Sequence, residues 1–182
     1  MSAPAALKAS GANRANADAV ADVVTRAERD GCASHGVFRV PGYCAALKHG
    51  DSRGDADPKV ERRAPGVVFV DGDRGLAPLP MALGRPMLAQ AARENGIASM
   101  AIRNSAHFAA LWPDIEPLAQ QGLLAMSFVN SRAFVAPAGG TRRLYGTNPD
   151  GLGSGFQRCG PRRDHDRRPR RPFGAGGLRP WP

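Results

Sequence analysis

The chain is poor in the residues that staple or metallate a small domain. Its three cysteines, Cys32, Cys44 and Cys159, lie far apart and form no CxxC pair. That spacing supports neither a disulfide framework nor a zinc site, and it suits a reducing cytoplasm. The four histidines have no carboxylates at ligand spacing, so no metal site is expected. Neither GxGxxG nor GxxxxGK[ST] occurs, which removes the Rossmann fingerprint and the P-loop. No apolar run approaches the roughly 20 residues of a membrane-spanning helix. The Ala-rich start, Met1 to Leu7, lacks a signal-peptide core. A soluble protein with no membrane partner is expected.

Lysine is scarce as well. Lys8, Lys48 and Lys59 stand against 22 arginines among 25 basic residues, a bias that points to GC-rich coding rather than to selection for phosphate contacts. The formal charge of +9 would suggest nucleic acid if it were spread over a face. It is not: residues 150–182 hold eight arginines and three aspartates, a net +5, which leaves +4 for residues 1–149. Such a tail could bind nucleic acid by counterion release, without sequence preference. Only Phe156, Phe173 and Trp181 are there to stack on bases, so a solvated run is expected and nucleic acid is not an expected partner.

The 182 residues are 42% hydrophobic, enough for the core of one domain. Residues 1–15 are small and aperiodic and are expected to be disordered. Val20, Val23, Val24 and Ala27 recur at helical spacing over Ala17 to Arg29, with Asn16 as N-cap and Gly31 as stop. A second helix is expected over Gly36 to Leu47, with Pro41 near its start or at a kink. His49 to Pro65 reads as a loop or poorly defined edge strand. Val67 to Val70 is a β-branched strand closed by a turn at Asp71-Gly72-Asp73. Met81 to Glu94 is helical and stops at Asn95-Gly96. Ile97 to Arg103 and Leu123 to Val129 are strands, and Ile115 to Gln121 is a helix. This alternation indicates an α/β or α+β layer structure. From Asp150 on, no hydrophobic period of either kind remains, so residues 150–182 are expected to be disordered.

Two histidine junctions carry the chemistry. In Ser34-His35-Gly36-Val37-Phe38-Arg39 a hydroxyl adjoins an imidazole, although neighbours in sequence rarely point at each other. On a helix, Arg39 would share a face with His35, setting a carboxylate-binding fork beside a proton donor. The bland alternative is a capping Ser34, a surface His35 and a solvated Arg39. The second junction, His107-Phe108-Ala109-Ala110-Leu111, combines a ring with small apolar residues that let a ligand approach backbone; its alternative is a structural histidine at a turn. Asn130-Ser131 and Gly146-Thr147-Asn148-Pro149 offer ordinary turn chemistry.

Taken in order, Gly31 to Tyr43, Asn104 to Pro113, Gly122-Leu123-Leu124 with Asn130, and Leu144 to Pro149 resemble the type 2 malate/L-lactate dehydrogenase family. The likeness is greatest to its Δ1-piperideine-2-carboxylate/Δ1-pyrroline-2-carboxylate reductase branch, and His107 to Pro113 is its most specific element. It implies a non-Rossmann fold with a largely antiparallel cofactor sheet, usually dimeric, that uses NADPH or NADH to reduce a carboxylate-bearing cyclic imine or 2-oxo acid. By position it makes Ser34 and His35 the proton relay, Arg39 the carboxylate arginine, Thr147 a substrate contact, and His107, Phe108, Ala109, Ala110 and Leu111 a nucleotide-contacting segment. Other branches give the acid/base role to the histidine matching His107, so the proton donor is His35 or His107. The likeness runs from Ala17 to Pro149, and residues 16–149 read as an incomplete reductase domain. Beyond it, the Arg, Pro and Gly bias is that of GC-rich DNA translated out of frame, so a truncated and impaired reductase is expected.

Overall fold

The computed structural model describes residues 2–106 and 109–155. Helix α1 (Ala3–Ala9) occupies the start that composition assigned to disorder. Pro4 fits the first helical turn, where its missing N–H costs nothing. Leu7 is fully buried among Val20, Val24, Val40, Tyr43 and Leu47, and that burial orders a segment with little intrinsic pattern.

Helix α2 (Arg14–Arg29) is capped by Asn13, whose side chain accepts the Asn16 N–H at 2.9 Å. Asn16, the cap expected from sequence, instead lies inside the helix, buried, and its Nδ2 donates to the Ala56 carbonyl at 3.0 Å. The helix end is as expected in kind: Gly31 sits at φ 76, Cys32 N–H donates to Ala27 O at 2.8 Å, and Gly31 N–H donates to Glu28 O at 3.1 Å. This is a Schellman cap, and it fixes the exit direction of the chain.

The expected helix over 36–47 begins late. Residues 33–35 and 37–39 form two 3-10 turns, and helix α3 spans Val40–Lys48 with Pro41 in its first turn. Pro41 has no N–H to give to a preceding turn, so an α-helix cannot continue through it from Gly36 without losing a bond.

Strands β1 (Lys59–Ala64), β2 (Val67–Leu76) and β3 (Ser99–Ala106) form one sheet, ordered β1-β2-β3. β1 pairs antiparallel with β2, and β2 pairs parallel with β3 across helix α4 (Pro78–Asn95). Val68 and Val70 are fully buried under α4 beside Ala91, so this strand is the sheet's centre. Asp71-Gly72-Asp73 does not end it. The register slips between Asp71 and Gly75, with Asp73 and Arg74 at φ 50 and 59, so the turn-like residues make a bulge within the strand.

Helix α5 (Trp112–Ala119) packs Ile115 and Leu118 against Ala89 of α4 and Ala125 of strand β4 (Leu124–Phe128). Strand β5 (Asp150–Ser154) pairs antiparallel with β4 and corrects the expectation that order ends at Pro149. Gly151 and Gly153 hide this strand in the sequence, because they supply no apolar alternation. They are what its packing needs: a Cβ on Gly151 would press on Leu111, and one on Gly153 on Ile115. No helix among the described residues is long and apolar enough to cross a membrane.

Candidate functional site

The Schellman cap of α2 delivers Cys32 into a 3-10 turn whose His35 N–H returns to the Cys32 carbonyl at 2.9 Å. This tight turn makes sequence neighbours meet. Ser34 Oγ lies 3.0 Å from His35 Nδ1, correcting the expectation that the two side chains diverge. Cys32 Sγ stands 3.5 Å from the same nitrogen and 3.7 Å from Ser34 Oγ. Arg39 reaches back rather than along a helix face: its Nε donates to the Ser34 carbonyl at 2.8 Å. The expected trio is thus brought together, by 3-10 geometry instead of helical spacing.

Two supports hold this loop. Glu28, the penultimate residue of α2, accepts the Val37 N–H at 2.9 Å, with Gly36 packed so closely that a Cβ there would overlap its carboxylate. Tyr43 of α3 is buried beneath, and burial pushes its phenol well above the usual range. The Arg39 charge opposes that shift and the Asp114 charge reinforces it, and Tyr43 itself packs in the core with Leu7, Val20, Val24 and Leu47. Asp114 is itself buried, its carbonyl taking a bond from Arg85 Nε at 3.3 Å. Burial holds the Arg85 guanidinium below its usual range.

The second junction falls partly outside the described residues: His107 and Phe108 are not among them. Ala109, Ala110 and Leu111 are buried where the chain enters α5. Leu111 caps that helix without a side-chain bond; Pro113 brings no N–H to the first turn, and the Asp114 N–H donates to the Leu111 carbonyl at 3.0 Å. Trp112 follows, and its indole N–H donates to Asp30 Oδ2 at 3.1 Å, fastening α5 to the end of α2 just before the Ser34 turn. Below Leu111 lies Gly151, four residues past Thr147. The start of α5 therefore touches both the end of α2, through Asp30, and strand β5, through Gly151.

Thr147 occupies an exposed turn in the β4–β5 connection. Its Oγ1 is 3.2 Å from Ser131 Oγ, which also accepts the Asn148 N–H at 3.2 Å, while Asn148 Oδ1 accepts the Ser131 N–H at 2.9 Å. Asn148 stands at φ 40, and a Cβ on Gly146 would collide with Ser131. The two turns noted separately in the sequence form one hydrogen-bonded unit. Two open clefts lie on the seam between α2 and α5, one lined by Asp22, Arg26 and Gln120, the other by Asp30 and Trp112, and Arg29 and Glu116 border both.

Sequence reasoning missed Cys32, Glu28, Asp30, Trp112 and Tyr43 as parts of this neighbourhood. Gly31 was the one usable signal, since a helix-ending glycine fixes where Cys32 goes. The Asp30–Trp112 bond spans 82 residues and has no local signature.

The malate/L-lactate dehydrogenase family model matches residues 2–156. The chain belongs to that family. A Δ1-pyrroline-2-carboxylate/Δ1-piperideine-2-carboxylate reductase of Pseudomonas syringae pv. tomato is 48% identical over 138 residues, covering 76% of this chain and 40% of the relative. A Δ1-pyrroline-2-carboxylate reductase of Ancylobacter novellus is 46% identical over 147 residues, 81% of this chain and 43% of the relative. Among solved structures, the P. syringae Δ1-piperideine-2-carboxylate reductase superposes with a TM-score of 0.80 at 44% identity, over 84% of this chain and 46% of that one. Malate dehydrogenase from Pyrococcus horikoshii gives 0.76 at 31% identity, over 84% and 44%. The chain thus spans less than half the length of these relatives. The family match also reaches past Pro149, in accord with the order of β5.

Proposed function

We propose that this chain carries the proton-donating and carboxylate-holding part of an NAD(P)H-dependent reductase acting on Δ1-pyrroline-2-carboxylate and Δ1-piperideine-2-carboxylate, and that it turns over little as it stands. The observation that carries the reading is the Ser34–His35–Arg39 turn, in which Ser34 engages the imidazole Nδ1 through its hydroxyl and the Arg39 guanidinium through its carbonyl. Arg39 Nε is spent on the Ser34 carbonyl, which fixes the plane of the fork. Its terminal nitrogens make no ion pair among the described residues and are suited to grip the substrate carboxylate in two parallel bonds.

Reducing a cyclic imine at the carbon next to its carboxylate adds a hydride to that carbon and a proton to the nitrogen. With Nδ1 held by Ser34, the protonated His35 ring passes the Nε2 proton to the imine nitrogen. It is left as the Nδ1–H tautomer, whose N–H the Ser34 hydroxyl can accept. A nicotinamide cofactor, NADPH or NADH, supplies the hydride when bound. The residues present fit one wall of its site: Ala109 and Ala110, at the entry to α5, have small side chains that leave room beside the backbone, with His107 and Phe108 next to them in sequence. We further assign the protein to the cytoplasm and to a homodimer, in keeping with the family resemblance. Residues beyond the family match we read as out-of-frame sequence, tested by translating the encoding DNA in its other two frames.

The functional test is binding and turnover measured together. Δ1-piperideine-2-carboxylate binding, followed by ligand-observed NMR, is expected in the parent chain and lost in Arg39→Met, with NADPH or NADH oxidation at 340 nm slow or absent. Equal binding by the parent and Arg39→Met, or a preference for pyruvate or oxaloacetate over both imines, overturns the reading.

A further inference from the structure

The Ser34 and His35 pair accounts for two of three groups that meet at one nitrogen. The third is the Cys32 thiol, 3.5 Å from His35 Nδ1 and 3.7 Å from Ser34 Oγ, so that each of the three atoms lies within hydrogen-bond reach of the other two. The placement is imposed by backbone. Cys32 N–H is tied to Ala27 O by the α2 cap, and Cys32 O receives the His35 N–H, so the thiol and the imidazole are held at opposite ends of a single 3-10 turn. Both the thiol and the ring are half-buried, whereas Ser34 is exposed.

We propose that Cys32 is a positioning residue for His35, setting the orientation and tautomer of its ring jointly with Ser34. The proposal rests on the reading of His35 as the proton donor only for its catalytic consequence. Nδ1 has one in-plane site and cannot accept from two donors at once. In the neutral ring the three groups form a chain in which the Cys32 S–H donates to Ser34 Oγ and the Ser34 O–H donates to Nδ1. This keeps the ring proton on Nε2. When the ring is protonated the sense reverses, and the Nδ1–H is shared between Ser34 Oγ and Cys32 Sγ. A proton passed from Nε2 thus leaves the Nδ1–H tautomer with its acceptors already in place, and the ring returns to the Nε2–H form once the Ser34 and Cys32 hydrogens turn back along the chain. Other charges near the turn are Glu28 and Asp30 at the end of α2 and Arg39 on the following turn. They set the field at the ring, while Cys32 and Ser34 act on Nδ1 directly.

The test is 15N NMR of the histidine rings in the full chain, with His35 assigned by its disappearance in His35→Gln. A hydrogen bond of ordinary net strength changes an equilibrium roughly two- to tenfold, and a sulfur partner belongs at the low end. Cys32→Ala is expected to shift the Nδ1–H to Nε2–H ratio of neutral His35 at least twofold, while Cys32→Ser, which keeps a donor and acceptor, stays closer to the parent. Should Cys32→Ala fail to fold, the Cys44→Ser/Cys159→Ser chain is treated with methyl methanethiosulfonate. Capping the thiol should produce the same shift, and dithiothreitol should reverse it. Unchanged ring shifts in Cys32→Ala, or in the capped chain, overturn the proposal. Neither readout uses substrate, so a failure here is separate from a failure of Arg39 to affect imine binding.

Discussion

Trp112 and Asp30 are joined by an indole N–H to carboxylate bond of 3.1 Å that ties the first residue of α5 to the residue capping α2. Because the Ser34 turn begins just after Asp30, and the entry to α5 lies just before Trp112, this bond sets the spacing between the two halves of the candidate site. Trp112→Phe keeps the ring and removes the donor. A loss of about 1 kcal/mol is expected in urea unfolding, the net value of one hydrogen bond, because Asp30 keeps its ion pair with Arg29 at 2.9 Å. If the bond sets the spacing, imine affinity falls as well; a stability loss with unchanged affinity would confine Trp112 to packing.

Arg39 separates charge from geometry. Arg39→Lys retains the cation but cannot both hold the Ser34 carbonyl and offer two parallel donors to a carboxylate. Hydrogen bonds to charged groups contribute roughly 1.5–3 kcal/mol, so Arg39→Lys is expected to weaken Δ1-piperideine-2-carboxylate binding about tenfold and Arg39→Met more than that. Calorimetric titration of the three proteins gives the order directly. Equal affinity for Lys and Arg would mean that the substrate senses only a positive charge.

Gly36 is needed for room and not for a left-handed backbone, since its φ is −85. A methyl group there would displace the Glu28 carboxylate that accepts the Val37 N–H. Gly36→Ala should cost about 1–3 kcal/mol, the usual range for overpacking. In a Glu28→Ala background the same change should cost much less, because the obstructing carboxylate is gone. Additive losses in this double-mutant cycle would refute the contact as the cause.

Much of this architecture could be read from the residues, and the exceptions have physical reasons. Helix α2 and its glycine stop, strand β2 with its β-branched run, and α4 were legible because period, cap and burial agree. Helix α1 was not, because its order comes from burying Leu7 against residues far along the chain. Strand β5 was not, because glycine is chosen there for the space α5 takes. Ser34, His35 and Arg39 were found by residue type and family resemblance, yet their contacts depend on a 3-10 turn that Pro41 and the α2 cap impose together. Cys32 passed unnoticed because cysteine was weighed for disulfides and metals, and its relation to His35 is one of placement.

Exposed apolar side chains make a further expectation. Leu124, Met126 and Phe128 alternate along one face of β4, and Leu152 of β5 pairs beside Met126; all four are largely exposed. A contiguous apolar sheet face of this kind favours self-association. Light scattering of the parent chain should show concentration-dependent growth, reduced in Met126→Thr/Phe128→Thr. Those changes keep β-compatible residues, so the far-UV dichroism should hold. Association that persists unchanged in the variant would place the contact elsewhere.

Tyr43 supplies the pH dependence. Burial is the main cause that raises its phenol above the ordinary value of 10, Arg39 lowers it in part, and Asp114 adds to the rise. Between 10 and the higher folded value the unfolded chain has lost this proton and the native state has kept it. The unfolded state then binds fewer protons, so stability is fully present below pH 10 and falls as pH rises through that window. Tyr43→Phe removes the phenol, so its urea midpoint should fall less steeply above pH 10 than that of the parent. Arg39→Met removes the charge that opposes the shift, so in that variant the Tyr43 phenol should ionise at still higher pH, read by absorbance at 295 nm in a Tyr145→Phe background. A phenol that ionises no later in Arg39→Met than in the parent would mean that Arg39 and Tyr43 are not electrostatically coupled.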